Sequence, residues 1–118
     1  MNENDLVRLH HMLDAAREAD GFVQGKNRQS LDTDRLLVLG LSYAIGIIGE
    51  AASKVSQEVQ TATPQIPWAQ IIGMRNRLIH GYFDIKLDRL WATVTESIPP
   101  LIAQLDQIIP PEQPEQNE

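Results

Sequence analysis

At 118 residues the chain can build one hydrophobic core but not two, and a partner subunit would add burial that so small a chain is short of. Sixteen acidic residues against ten basic ones give a net charge of −6, which excludes broad electrostatic adhesion to nucleic acid but leaves room for a local basic groove. The absence of cysteine excludes a disulfide framework, a thiolate nucleophile and a zinc–thiolate site. Met1 to Asp5 has neither the basic nor the apolar segment of a secretory signal, so the expected location is the cytoplasm.

Leu6, Leu9, Leu13, Ala16, Ala19 and Val23 recur at three- and four-residue spacing with charged residues between them, which predicts a first helix over about residues 4–24 with one stripe facing a core. His10 and His11 are adjacent, so they point apart, and no carboxylate or second histidine shares a face with either. They read as surface or edge-of-core residues rather than metal ligands. Gly25 to Arg28 reads as a loop.

Asp32 or Thr33 caps a second helix that the pattern carries to about Gln60. From Leu36 to Gly49 it has no charge, so it should be covered on several sides, yet this segment is shorter than the roughly 20 residues that span a bilayer. Gly40, Ser42, Ala44, Gly46, Gly49 and Ala51 to Ser53 form a run of small residues suited to close helix approach. Its contact is with the first helix, the third helix or a second subunit. Glu50, at the end of the apolar run, either emerges into solvent or pairs with Arg75 or Arg77.

Thr61 to Pro67 is a loop, and Pro67 suits the first turn of a third helix running to His80, with Trp68 packed behind it and Gly81 ending it. Asp84 can cap a fourth helix with Leu87, Leu90, Trp91, Val94 and Ile98 as its buried stripe. Pro99 and Pro100 demand a kink or a new start capped by Ser97, before a short last helix over Leu101 to Ile109. The sequence therefore describes one all-α domain over residues 1–109. Residues 110–118 form a Pro/Glu/Gln tail with nothing to bury after Ile109, expected to be disordered. No strand pattern, repeat or glycine-rich phosphate loop is present.

The segment Met74 to Asp84 concentrates hydrogen-bonding chemistry: Arg75, Asn76, Arg77 and His80 lie within six residues of one another, on a helix pinned by Ile71, Ile72, Leu78 and Ile79. Arg75, Arg77, Lys86 and Arg89 also make this region locally basic in an acidic chain. At about 100° per residue, Asn76 and His80 share a face and Arg77 is near, whereas Arg75 lies roughly 140° from His80. The two meet on one ligand if Arg75 extends along the surface, if the last turn unwinds, or if a second copy across a two-fold axis supplies the other half. An alternative is purely structural, with Arg75 paired to Glu50 and His80 satisfying a helix-end carbonyl.

The run Ile66-Pro67-Trp68, the segment from Ile71 to Phe83 with its Arg-x4-His pair followed by Gly81-Tyr82, and Leu87 to Trp91 resemble the HEPN superfamily, in its HepT-like branch. Ile47 to Ala52 and Pro100 to Ile102 extend the likeness over nearly the whole chain. The resemblance implies an all-α, up-and-down bundle of four long helices plus a short C-terminal helix, dimerising so that two Arg-x4-His motifs line one cleft. It also implies a metal-independent endoribonuclease with Arg75 and His80 catalytic and Asn76 beside them, needing no cofactor or metal; Arg77 and Glu50 join as supporting residues on the residue-level reading above. The biological setting it implies is a type VII-like toxin–antitoxin pair. There a minimal nucleotidyltransferase antitoxin neutralises the toxin by transferring AMP to Tyr82, and RNA is the substrate. The alternative is a non-catalytic dimeric module that binds a nucleotidyltransferase or positions nucleotide for it. No membrane association is implied.

Overall fold

The computed structural model describes residues 1–80 and 84–111. Helix α1 (Glu3–Phe22) begins at Asn2, whose side chain accepts from the Asp5 amide and satisfies one of the donors a helix start leaves open. After a turn in which Gly25 takes φ +74°, a conformation open to glycine without strain, a short α2 (Ser30–Thr33) leads into α3 (Arg35–Ser53). The cap of α3 is Asp34, which accepts from the Leu37 amide at 3.0 Å, rather than Asp32 or Thr33.

α3 ends at Ser53, well short of Gln60, and a separate α4 (Gln57–Ala62) follows, with Ser56 at its N-cap. The break has a physical cause that the helical pattern does not carry. The Asp5 carboxylate, itself buried, accepts from both the amide and the hydroxyl of Ser56, at 2.8 and 2.7 Å. This draws the chain out of the helix and pins the start of α1 to the start of α4. First the Ser56 amide and then its hydroxyl hold the Asp5 pKa below the ordinary aspartate range. A carboxylate depressed in this way stabilises the fold above its unfolded pKa and loses that contribution as pH falls through the folded value. Asp5→Asn is therefore expected to lower the melting temperature at neutral pH, with the gap to the parent closing towards acid. Melts across the pH range check this, and a gap independent of pH would show that the charge contributes nothing.

α1 packs chiefly on α3, α3 on α5 (Trp68–Leu78), and α7 (Ile98–Ile108) on α1. Leu9, Met12, Leu41, Ile45, Ile48, Leu90, Val94, Ile98, Leu101 and Leu105 form a core closed to solvent. Trp68 fixes the start of α5 by donating from Nε1 to the Thr63 carbonyl and hydroxyl at 3.2 and 3.1 Å. α6 (Leu87–Ala92) continues through one π-helical turn, Thr93–Ser97, into α7. The expected fourth and short last helices are thus one helical run. The wider π turn takes up Pro99 and Pro100, which lack amide donors, and Ser97 makes no side-chain cap. Asp84 is likewise no cap, since Lys86 stands at the N-cap of α6.

The result is the expected all-α bundle of four long helical segments, with one small departure. α5 stops at Leu78, and Ile79–His80 (β1) pairs antiparallel with Asp84–Ile85 (β2), Ile79 opposite Ile85 and His80 opposite Asp84. Two residues per strand are too few for any period-2 signal. The expected tail falls mainly on residues 112–118, outside those described.

The small residues of α3 serve two neighbours. A Cβ on Gly49 would stand 3.3 Å from the Ile72 carbonyl oxygen of α5, and one on Gly40 3.5 Å from the ring of Phe22 in α1. By contrast, a Cβ on Gly21 near the end of α1 meets nothing within 4 Å. Gly21→Ala is expected to raise stability by about 0.5–1 kcal/mol, because alanine loses less backbone entropy in a helix. An unchanged urea midpoint would contradict this. α3 is also less covered than its composition suggests: Leu36 is 82% exposed, Tyr43 74% and Leu39 46%. α3 is long and apolar enough to cross a membrane, but half of that window is buried within the bundle.

Candidate active site

The sequence motif straddles the end of α5. Arg75 and Arg77, two residues and about 200° apart on a helix, leave in opposite directions. Arg75 lies across α3, where a Cβ on Gly46 would stand 3.6 Å from its Cδ. Glycine at this position leaves the arginine room to lie close against the neighbouring helix. Arg77 folds back over Gly73 along its own helix and donates to the Gln70 carbonyl. It borders a second cavity of about 370 Å³ with Arg89 and Glu96, on the side facing α6 and α7. The two arginines therefore border different cavities. Asn76 is exposed between them.

His80 lies beyond the helix, in β1. The helix ends before His80: the Ile79 amide makes the last helical bond, to the Arg75 carbonyl, and Lys86 N–H donates to the Leu78 carbonyl at 2.9 Å. The helical-face argument joining His80 to Asn76 lapses for the same reason. Tyr82, the expected modification site, lies outside the described residues.

Arg75 borders an open-sided cavity of about 560 Å³ between α1, α3 and the end of α5. α3 contributes Gly46, Ile47 and Glu50, and Ile79 closes the side nearest His80. Of the two readings of Glu50, the structure shows the solvated one, and the carboxylate pairs with neither Arg75 nor Arg77. Its side chain is 72% exposed and its carboxylate meets Lys54 Nζ at 3.4 Å, one turn on. Water solvates a carboxylate at this position, so burial does not force a pairing across helices. Among the described residues Arg75 makes no ion pair, which leaves its planar fork of donors open to a carboxylate or phosphate.

α1 adds Arg8 and His11 to the same cavity, residues that the sequence pattern left as surface. Their i, i+3 spacing was the available signal; what it lacked was the packing of α1 against α3 that carries them to Arg75. Ser42 Oγ, shielded from solvent and without a hydrogen-bond partner among the described residues, also lines it. The site is thus a local concentration of cationic and hydrogen-bonding groups in an acidic chain, suited to a phosphate-bearing ligand.

The profile of a family described as "Ribonuclease HepT-like" matches residues 12–108. The chain belongs to the HepT-like ribonuclease family. It is 38% identical over 75 residues to "Probable ribonuclease HepT" of Thermococcus cleftensis, covering 64% of this chain and 68% of that one. It is 31% identical over 101 residues to a "Putative RNase" of Caldanaerobacter subterraneus subsp. tengcongensis, covering 86% and 90%. A "Putative RNase" of Methanocaldococcus jannaschii is 28% identical over 98 residues, covering 83% and 90%. No solved structure matches the chain. The HepT-like match, residues 12–108, takes in Glu50 of α3, Arg75, Asn76 and Arg77 of α5, and His80 and Tyr82 beyond it.

Proposed function

We propose that the chain is a metal-independent endoribonuclease acting through Arg75 and His80, the toxin of a toxin–antitoxin pair. The observation that carries this is the unpaired Arg75 guanidinium at the cavity beside Ile79 and the His80 strand, in a chain of a ribonuclease family. The chemistry is internal transesterification. A base removes the 2'-hydroxyl proton, the 2'-oxygen bonds to phosphorus, the bond from phosphorus to the 5'-oxygen breaks, and an acid protonates the departing 5'-oxygen. The products are a 2',3'-cyclic phosphate and a 5'-hydroxyl. His80 moves the proton, and Arg75 holds the charge that builds on the non-bridging oxygens.

One imidazole per chain supplies one proton-transfer group, so a homodimer that brings two motifs to one cleft completes the pair. The exposed strip of Leu36 and Leu39, beside Phe22 on Gly40, supports such an assembly, because contiguous apolar surface of this kind marks an interface. In this reading Asn76 positions substrate beside Arg75, and a nucleotidyltransferase partner silences the enzyme by joining AMP to the Tyr82 hydroxyl. Arg77 and Glu50 act only indirectly, through the helix that holds Arg75 and through Lys54.

The test is cleavage of total RNA and tRNA in EDTA by protein made without a nucleotidyltransferase, after intact mass shows an unmodified Tyr82. Cleavage with cyclic phosphate ends is the expected result. No cleavage above the background of a His80→Ala variant would instead support an interaction module that binds a nucleotidyltransferase, a role the net charge of −6 also suits.

A further inference from the structure

Of the ten cations in this chain, Arg17, Arg28 and Lys54 make ion pairs among the described residues, so what sets a cation apart is the company it keeps in a cavity rather than the lack of a carboxylate. Arg17 takes Asp106 at 2.8 Å, and Arg28 takes Asp88 and Asp32 at 2.6 and 3.1 Å. Arg8, half-buried near the start of α1, makes no ion pair among the described residues, and neither does Arg75. Both border the 560 Å³ cavity, as do His11, one turn on from Arg8, and Lys54 at the end of α3. Against Arg8, Lys54 and Arg75 the cavity holds one carboxylate, Glu50, already engaged by Lys54. The Ser42 hydroxyl at the same wall has no partner among the described residues. An oxygen-rich anion would satisfy these groups together.

From this geometry we infer that Arg8 and His11 form a second phosphate subsite, which holds the backbone of single-stranded RNA at a nucleotide flanking the one presented to Arg75. The inference rests on the ribonuclease reading of the Arg75 site and adds to it a strand path, running from the end of α5 over Gly46 of α3 to the first half of α1. Gly46 matters for this path: without a side chain there, Arg75 lies close against α3, its Cδ 3.6 Å from where a Cβ would stand. Arg8 and His11 lie just before the stretch 12–108 that the family profile matches. Contacts of this kind bind backbone without reading sequence, and each neutralised phosphate of a single strand contributes about 0.7 to the slope of log affinity against log salt.

The experiment measures fluorescence anisotropy of a labelled, fully 2'-O-methylated 12-nucleotide RNA, which binds but cannot be cleaved through its 2'-oxygen. It uses the full chain with Tyr82 unmodified. Arg8→Ala/His11→Ala is compared with the parent and with Arg17→Ala, which removes a cation from the far side of α1 where it faces Asp106. The expected result is binding weaker by about tenfold and a salt slope reduced by about 0.7–1.4 in the double variant, with Arg17→Ala close to the parent and all three melting alike. Equal losses in the double variant and Arg17→Ala would overturn the subsite in favour of a general charge effect, as would a double variant that binds like the parent. If the parent cleaves RNA while the double variant binds normally, this inference fails and the ribonuclease reading stands. If the parent binds the RNA and cleaves nothing, the catalytic reading fails while the double variant still decides the subsite. A parent that binds no RNA overturns both. Uridine monophosphate as the competing probe separates a strand from a mononucleotide: displacement of the 12-mer at equal molar concentration would assign the pocket to a mononucleotide.

Discussion

His80→Ala is expected to reduce RNA cleavage by about 10²–10⁴-fold, the range set by losing a positioned proton-transfer group. Arg75→Ala is expected to cost about 10²–10³-fold, by analogy with removal of one donor to a developing oxyanion. Neither change should unfold the protein. β1 and β2 are joined by backbone hydrogen bonds that alanine at residue 80 retains. The Arg75 guanidinium is exposed and makes no ion pair among the described residues, so its removal strands no buried partner, and surface changes of this kind stay within about 0.5 kcal/mol. Arg75→Lys tests the nature of the contact. Lysine keeps the charge but loses the planar two-donor fork, so its activity should fall between parent and alanine. Single-turnover cleavage together with thermal melting separates the cases. A His80→Ala enzyme that cleaves at the parental rate would remove the imidazole from the mechanism.

Gly49→Val should be among the most damaging single substitutions in α3, and damaging in two ways. The added Cβ alone meets the carbonyl oxygens of Ile72 and Ile71 at 3.3 and 3.5 Å. These are backbone atoms of α5 that cannot swing aside as a side chain can. Two further methyl groups force the helices apart, and over-packing of this kind costs about 1–3 kcal/mol. Because α5 carries Arg75, its displacement also changes how the arginine lies over Gly46, so cleavage should fall beyond what the unfolded fraction explains. Gly49→Ala asks the carbonyl to yield only a few tenths of an ångström, and alanine's helix propensity offsets this by about 1 kcal/mol. Its stability should stay close to the parent's. Urea unfolding of both variants checks the contrast; a valine variant as stable as the parent would mean that α3 and α5 tolerate a wider separation.

How legible the molecule was in its sequence can be judged element by element. α1 was readable within two residues at each end, because seven of its residues form one buried stripe whose 3.6-residue period survives any packing arrangement. The stripe of Leu90, Val94 and Ile98 was readable for the same reason, and all three are fully buried. The family was readable too, since its residues form nearly contiguous motifs between Ile66 and Trp91 and residues 12–108 match it.

Other features depended on which groups the folded chain brings together or leaves to solvent. α3 breaks at Ser53 because Asp5, 51 positions before Ser56, claims the Ser56 amide and hydroxyl; no local propensity encodes that claim. The last turn of α5 gives way to a strand because Ile79 and His80 find Ile85 and Asp84 to pair with. Glu50 stays with Lys54 because the end of α3 is solvated, and a hydrophobic run in the sequence does not say which of its faces a fold will cover. The sequence by itself determined the helices, the single core and the chemical inventory of Arg75, Asn76, Arg77 and His80, since these depend on residue type and short-range period. Only the tertiary structure decided that Arg8 and His11 share a cavity with Arg75 while Glu50 does not pair with it, because which side chains share a cavity is set by how helices cross, and that follows from packing between distant segments.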